Sequence, residues 1–352
     1  MVPSRIISSF SRLGQCFEEI SGSFNNLLAN GKIEDALEAF RVNTRQSELH
    51  NLWFTPFNVK YCLNAWAESL KGEKIGHWLS QYNITETPAK NVGVVMAGNI
   101  PFVGLHDLLC VLASGHRVMV KTSSHDAGLI SGVINLLFSI EPNYRKFIEI
   151  SSGILKGFDA IIATGSNNTS RYFEYYFGKY PNLIRKNRNG ICVITGDESP
   201  DELRALGDDI FLYFGLGCRN VSKLFVPNGY EFKDLLKALG PYNYIADHNK
   251  YRNNYDYQKS IMIVNQIPIE DNGFLLLRRS NSFISPVAVV NFEFYKNLSE
   301  LNEFLTASSD QIQCIVSHAP ELEGAIPFGK SQRPELWDYA DNIDTMSFLL
   351  NL

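Results

Sequence analysis

From residue 91 onward the chain alternates short β-branched runs with stretches of helical spacing, and this alternation restricts the fold more than any other feature. "NVGVVMAG" (91–98), "HRVMVKTS" (116–123) and "FDAIIATGS" (158–166) read as buried strands. "IPFVGLHDLLCVLASG" (100–115), "SHDAGLISGVINLLFSI" (124–140) and "NNTSRYFEYYFGKY" read as helices. The first has Asn99 in a capping place and Pro101 near its first turn; the second is opened by Ser124 or a neighbouring polar residue. Strand, helix and strand joined by short connections predict a parallel sheet with helices on both faces.

"GICVITG" (190–196) closes this region, and the boundary to the next falls near 195–200. "SPDELRALGDDIFLYFG" (199–215) is a helix with a serine cap, a proline in the first turn and acids behind it. "KLFVP", "EFKDLLKALG", "FISPVAVVNFEFY", "LSELNEFLTAS" and "QIQCIVSH" continue as strand, helix, strand, helix and strand. Ahead of both regions, "IEDALEAF" and "VKYCLNAWAESL" carry apolar residues at three- and four-residue spacing, so residues 1–88 are helical. The fold class is α/β: two Rossmann-like lobes with parallel-rich sheets and an N-terminal helical segment.

A length of 352 residues agrees with about two domains. The net charge of −5, with no basic block, argues against nucleic acid as a partner. No apolar run reaches the ~18 residues of a membrane span. The start, "MVPSRIISSFSRLG", lacks the apolar core of a signal peptide, so a cytoplasmic protein is expected. The six cysteines form no C-x-x-C pair and no Cys/His cluster of zinc spacing, so thiols are expected rather than disulfides or a metal site.

Four stretches carry chemistry. "LYFGLGCRNVSKLFVP" (212–227) sets Cys218 between glycines and Arg-Asn, just ahead of a strand. Glycine weakens a strand but lets a backbone bend tightly or approach a ligand. Cys218 is either a small buried hydrophobe or a nucleophile; the second needs charge or dipoles that favour the thiolate, and Arg219 is adjacent. In "MAGNIPFVG" (96–104), Asn99 either caps a helix or offers its amide to a developing oxyanion. "VMVKTSS" (118–124) ends a strand with Lys121, followed by Thr122 and Ser124, where ligands sit in open α/β sheets; a solvated strand-end lysine is the alternative. In "ATGSNNTS" (163–170), Gly165 and Ser166 open a helix, which suits a pyrophosphate or merely a serine-capped turn. No G-x-G-x-x-G and no Walker A motif occurs. His106 reads as a satisfied helix histidine, and "ADHNKYRNNYDYQKS" (246–260), with His248, as a pocket lining or a solvated helix face.

Taken in order, Asn99-Ile100-Pro101, Val120-Lys121, Thr164-Gly165-Ser166 and Gly217-Cys218 resemble the aldehyde dehydrogenase superfamily, from about residue 90 to the end. "SFISPVAVV" (282–290) and "IPFGKS" (326–331) resemble its later elements. "FGLGCRNVSK" (214–223), "NNYDYQK" (253–259) and "DYADNIDTMSFL" (338–349) resemble the LuxC-type acyl-CoA reductases within it. The resemblance implies an aldehyde-dehydrogenase-like fold. Residues 1–88 would pack on an NAD(P)-binding domain of 89–197, followed by a catalytic domain of 198–325 and a segment, 326–352, returning to the domain interface. It implies Cys218 as nucleophile, Asn99 as oxyanion donor, and Lys121, Thr122, Ser124, Gly165 and Ser166 as cofactor contacts.

Departures from the superfamily pattern sharpen the expectation. Where aldehyde-oxidising relatives carry a general-base glutamate, "RKNRNGICVI" (185–194) has no acid, so reduction is favoured over hydrolysis. Ser124 stands where a glutamate would repel a 2′-phosphate, which favours NADPH over NADH. The expected activity is reduction of an acyl thioester, from acyl-CoA or an acyl-carrier protein, to an aldehyde through a thioester on Cys218. The resemblance leaves room for a homo-oligomer or a partner enzyme subunit. Three other readings stand beside it. One is an aldehyde oxidiser with a distant base such as Glu198; another is an acyl-phosphate reductase. The third is a non-catalytic nucleotide- or partner-binding relative, to which Ser170 and Ser282, in place of a family glycine and glutamate, point.

Overall fold

A computed structural model describes residues 3–22, 31–85, 87–165 and 167–352. It divides into two units, Met1–Lys186 with Glu335–Leu352, and Asn187–Pro334. In the first, helices α1 (Pro3–Ile20), α2 (Gly31–His50), α3 (Pro56–Ser69) and α4 (Gly72–Ser80) precede the alternating region. That region runs β1 (Asn91–Val95), α5 (Leu105–Ala113), β2 (Arg117–Lys121), α6 (Ala127–Ile140), β3 (Ile148–Ile150), β4 (Ala160–Thr164), α7 (Asn167–Phe177) and β5 (Asn182–Arg185). The strands form one all-parallel sheet in the order β3-β2-β1-β4-β5. Helix α1 buries Ile6, Phe10, Leu13 and Phe17, one face at three- and four-residue spacing. The Phe17 ring lies 6.0 Å from that of Phe40 in α2 and 6.1 Å from that of Phe102, so the helical segment shares a core with the sheet region.

Two helix starts differ from the sequence reading. Helix α5 begins at Leu105 with Gly104 at its N-cap, so Asn99 is not a cap but part of an irregular loop. Phe102 in that loop has a left-handed φ of 61°, which breaks helical continuity before Leu105. Helix α6 begins at Ala127 with Asp126 at its N-cap, so Ser124 does not open it. The Asp126 carboxylate is turned away from its own helix and accepts the Phe102 N–H at 3.1 Å.

The second unit runs β6 (Asn189–Val193), α8 (Pro200–Phe211), β7 (Val221–Pro227), α9 (Lys233–Ala238), α10 (Asn249–Val264), β8 (Ile269–Asp271), β9 (Leu276–Arg279), β10 (Val289–Tyr295), α11 (Leu298–Ala307) and β11 (Ile312–Val316). Its sheet has the order β11-β6-β7-β10-β9-β8, parallel except for the β8–β9 pair. Strand β6 pairs with β11 and β7, so "GICVITG" opens the second unit instead of closing the first. The boundary therefore falls at 186/187 and not near 195–200, because a buried apolar run announces a strand without naming its neighbours. Residues 326–334 stay with the second unit: the Gly329 and Ser331 N–H groups donate to the Asp209 carboxylate at 2.6 and 2.9 Å. The last stretch, with α12 (Thr345–Leu350), belongs to the first unit. Lys74 pairs with Glu335 there at 2.6 Å, and Trp78 Nε1 donates to the Tyr339 hydroxyl at 2.7 Å.

Among the described residues no helix is long and apolar enough to cross a membrane. All six cysteines are described; five are buried and Cys218 is exposed.

Candidate active site

In the first unit Val95 is the register partner of both Lys121 and Ala163, so β1, β2 and β4 end level. The strand order reverses between β1 and β4, and ligands of open α/β sheets bind outside the carboxyl ends at such a switch. Onto this edge the fold brings Asn99, exposed in the β1–α5 loop, and Lys121 at the end of β2, with Thr122 half-buried and Ser124 exposed behind it. Gly165, half-buried after β4, completes the edge just ahead of α7. Ser166 lies outside the described residues. The Lys121 ammonium donates to the Ser152 carbonyl at 3.1 Å.

The loops after β1 and β2 touch at Gly98. A Cβ there would overlap the Ser123 side chain, with Ser123 Cβ at 2.7 Å and His125 Cβ at 3.2 Å. Only glycine permits this approach. Asp126, which the sequence reading passed over, ties the same two loops through Phe102. It is 2 % exposed, and burial pushes its carboxyl well above the usual range. The one signal in the sequence is its place immediately before the apolar run of α6.

Cys218 belongs to the second unit, in a turn between α8 and β7. Helix α8 starts as the sequence predicts: Ser199 and Glu202 form a reciprocal capping box, with Pro200 at the first position. It ends at Phe211, and the chain leaves through Leu212–Gly215, where Tyr213, Phe214 and Gly215 all have left-handed φ (53°, 58° and 74°). The turn of Cys218 then rests on the start of β6: a Cβ on Gly190 would lie 2.6 Å from the Arg219 carbonyl oxygen. The Ser222 hydroxyl donates to the Phe283 carbonyl at 2.8 Å, which brings the 282–290 stretch beside the first residues of β7. The 246–260 stretch also reaches this turn. The His248 ring sits 4.4 Å from the Phe214 ring, and its Nδ1 accepts the Tyr251 N–H as the N-cap of α10. His106, by contrast, packs among Trp66, Trp78 and Tyr339 in the first unit, with Nε2 2.9 Å from the Leu336 carbonyl oxygen.

Glu198 lies at the other edge of the second sheet. The cysteine turn meets β6 at Gly190, whereas Glu198 binds Thr195 and the Gly196 N–H beyond the end of that strand. Five residues of strand, roughly 17 Å, separate Gly190 from Thr195. Glu198 is therefore too far to serve as a base at Cys218. It belongs instead to a cluster in which His318 faces Glu202 at 2.9 Å, Asp197 at 3.2 Å and Glu198 at 3.6 Å.

The Glu202 carboxylate, with its acidic neighbours, raises the His318 pKa above 6.5. A histidine whose folded pKa is raised contributes stability that is full below its unfolded value, near 6.5, and fades as pH rises through the folded value. His318→Gln is expected to flatten the fall in urea midpoint above pH 6.5. An unchanged slope would show that the cluster does not act on stability through this proton.

No protein-family model matches the chain, and no curated protein matches it by sequence. Solved structures match it by shape. Aldehyde dehydrogenase 21 from Physcomitrella patens, in complex with the reaction product succinate, aligns with a TM-score of 0.64 at 11% identity over 98% of this chain and 85% of its own. The P. syringae indole-3-acetaldehyde dehydrogenase AldA, in complex with NAD+, gives 0.60 at 12% over 92% and 73%. The aldehyde dehydrogenase KauB from Pseudomonas aeruginosa gives 0.59 at 14% over 90% and 76%. With two parallel-rich α/β units in this order, the chain has the aldehyde dehydrogenase fold.

Proposed function

We propose that this chain is an NADPH-dependent reductase that converts an acyl thioester, carried by coenzyme A or a carrier protein, to an aldehyde, with Cys218 as nucleophile. What carries the reading is an exposed cysteine in the turn that follows a left-handed stretch, at the end of β6 opposite Glu198. The Cys218 thiolate attacks the thioester carbonyl, and the Cys218 N–H holds the oxyanion, with the Asn99 amide the second donor that the superfamily resemblance implies. The thiol leaves, and the acyl group remains on sulfur as a new thioester. Bound NADPH supplies a hydride to this chemistry. After reduction, collapse of the thiohemiacetal on Cys218 releases the aldehyde and restores the thiolate.

The carboxyl edge of the first sheet suits a dinucleotide because β1, β2 and β4 end level where the strand order reverses, and the close contact at Gly98 fixes the loops after β1 and β2 against each other there. Lys121, Thr122 and Ser124 would hold the adenosine ribose and its 2′-phosphate, and Gly165 with Ser166 the pyrophosphate ahead of α7. Gly98→Ala is therefore expected to weaken NADPH binding about tenfold by nicotinamide fluorescence titration. Gly128→Ala, at an open helical position, should leave binding unchanged. Equal affinities in both variants would remove the cofactor from this edge.

The test of the function is an acyl-CoA series assayed with NADPH and with NADH. The expected result is aldehyde formation and, without cofactor, acyl mass added at Cys218. The aldehyde dehydrogenase neighbours favour a second reading, oxidation of an aldehyde with NAD(P)+; release of free acid instead of thioester would select it.

A further inference from the structure

We infer that Asn220 is a positioning residue for Cys218: one buried side chain sets both the turn that carries the sulfur and the helix end that delivers it. The inference rests on the reading of Cys218 as nucleophile. Asn220 is 2 % exposed. Its Oδ1 accepts the Gly217 N–H at 2.8 Å, and its own N–H donates to the Gly217 carbonyl at 3.1 Å. Those two bonds close a ring around Cys218 and Arg219. Its Nδ2 donates to the carbonyls of Asp209 at 3.0 Å and Leu212 at 2.9 Å, with Ile210 at 3.5 Å. Asp209 and Ile210 lie in the last turn of α8, where no intrahelical donor remains, and Leu212 is its C-cap.

The pattern admits one side chain. The carbonyls can only accept and the Gly217 N–H can only donate, so the site needs an acceptor and a two-proton donor on one short planar group. Aspartate keeps the acceptor and loses the donors; serine is too small for both. The demand arises because Tyr213, Phe214 and Gly215 leave the helix through three left-handed residues. Such backbone persists only where its surroundings over-determine it. On the other face, Gly190 and the Cys314 sulfur, 3.7 Å from the Arg219 carbonyl oxygen, form the floor of the turn. Cys218 is thus carried on the outer side of a turn held from beneath and from within.

The test compares Asn220→Ser and Asn220→Asp with the wild-type full chain. It reads kcat and KM for an acyl-CoA with NADPH, and the iodoacetamide alkylation rate of Cys218 against pH. Asn220→Ser is expected to lower kcat about 100-fold with KM within about threefold, as a misplaced reacting group does. Its alkylation rate at pH 7.5 should differ at least ~5-fold from wild type, with a displaced pH profile. Ser317→Ala removes a buried bond to the Val193 carbonyl at the opposite edge. It should lower Tm but leave the alkylation profile in place, which separates positioning from general loosening. A folded Asn220→Ser with wild-type kcat and profile overturns the inference. If that variant does not fold, a wild-type profile in Asn220→Asp overturns it instead. If the wild-type chain turns over no acyl-CoA, the parent reading fails, and the alkylation comparison still decides the role of Asn220.

Discussion

Cys218→Ala is expected to abolish acyl labelling and to lower acyl-CoA reduction by about 10⁴–10⁶-fold, the scale on which removal of a covalent nucleophile acts. NADPH affinity should not change, because the residues proposed to bind the cofactor stand on the first sheet. Stability should hold within about 0.5 kcal/mol, since the side chain is exposed and fills no core. The other five cysteines sharpen the experiment. Burial pushes the Cys16 thiol up to about 12, and raises those of Cys110 and Cys192 well above the ordinary value. A thiol so raised carries almost no thiolate at pH 8, and thiolate is the form that alkylates. Cys62 and Cys314 are buried as well, so brief iodoacetamide treatment of the folded protein should modify Cys218 first, and acyl-CoA should protect it. Reductase activity surviving in Cys218→Ala, or an acyl group found on another residue, ends the covalent mechanism.

The parts of the fold legible in the sequence are those whose cause is local. β1, β2 and β4 are short apolar runs because both faces of the central sheet are covered, and β4 has its first four residues buried. The α8 start was legible because Ser199, Pro200 and Glu202 carry a complete capping signal within four residues. β3 and β5 were not, being edge strands of three and four residues whose patterns are mostly half-exposed or exposed. β6 reads in the sequence as a strand closing the first sheet but pairs in the second, since strand pairing is a non-local choice. Asn99 reads as a cap in the sequence, yet the capping place is overridden by a contact 24 residues away, between Phe102 and Asp126. The same limit hid Asn220. Its role depends on where the left-handed exit of α8 leaves three carbonyls, and nothing in "GCRNVSK" announces that exit. Cys218, Lys121 and Gly165 stood out because their spacing relative to strand ends is itself a sequence property.

Arg185→Ala should be the most destabilising single change in the first unit. Arg185, the last residue of β5, is 5 % exposed, and Asp107 of α5 is 2 % exposed. They meet at 2.6 Å, and the other guanidinium nitrogen donates to Thr345 Oγ1 at 2.9 Å. A helix, an edge strand and the C-terminal stretch are thus joined at one charge. Removing the cation leaves the Asp107 carboxylate buried without its partner, which costs about 3–5 kcal/mol. For a unit of this size that corresponds to a Tm lowered by roughly 6–20 °C. The network is not ideally satisfied, since Arg185 Nε and Asp107 Oδ1 have no hydrogen-bond partner among the described residues. Desolvation of both ions is therefore incompletely offset, and an apolar pair should do as well. Asp107→Leu combined with Arg185→Met is expected to recover most of the loss and to match or exceed wild-type Tm. A double variant as unstable as Arg185→Ala would show instead that the ion pair itself, through its bond to Thr345, is what holds the C-terminal stretch against β5.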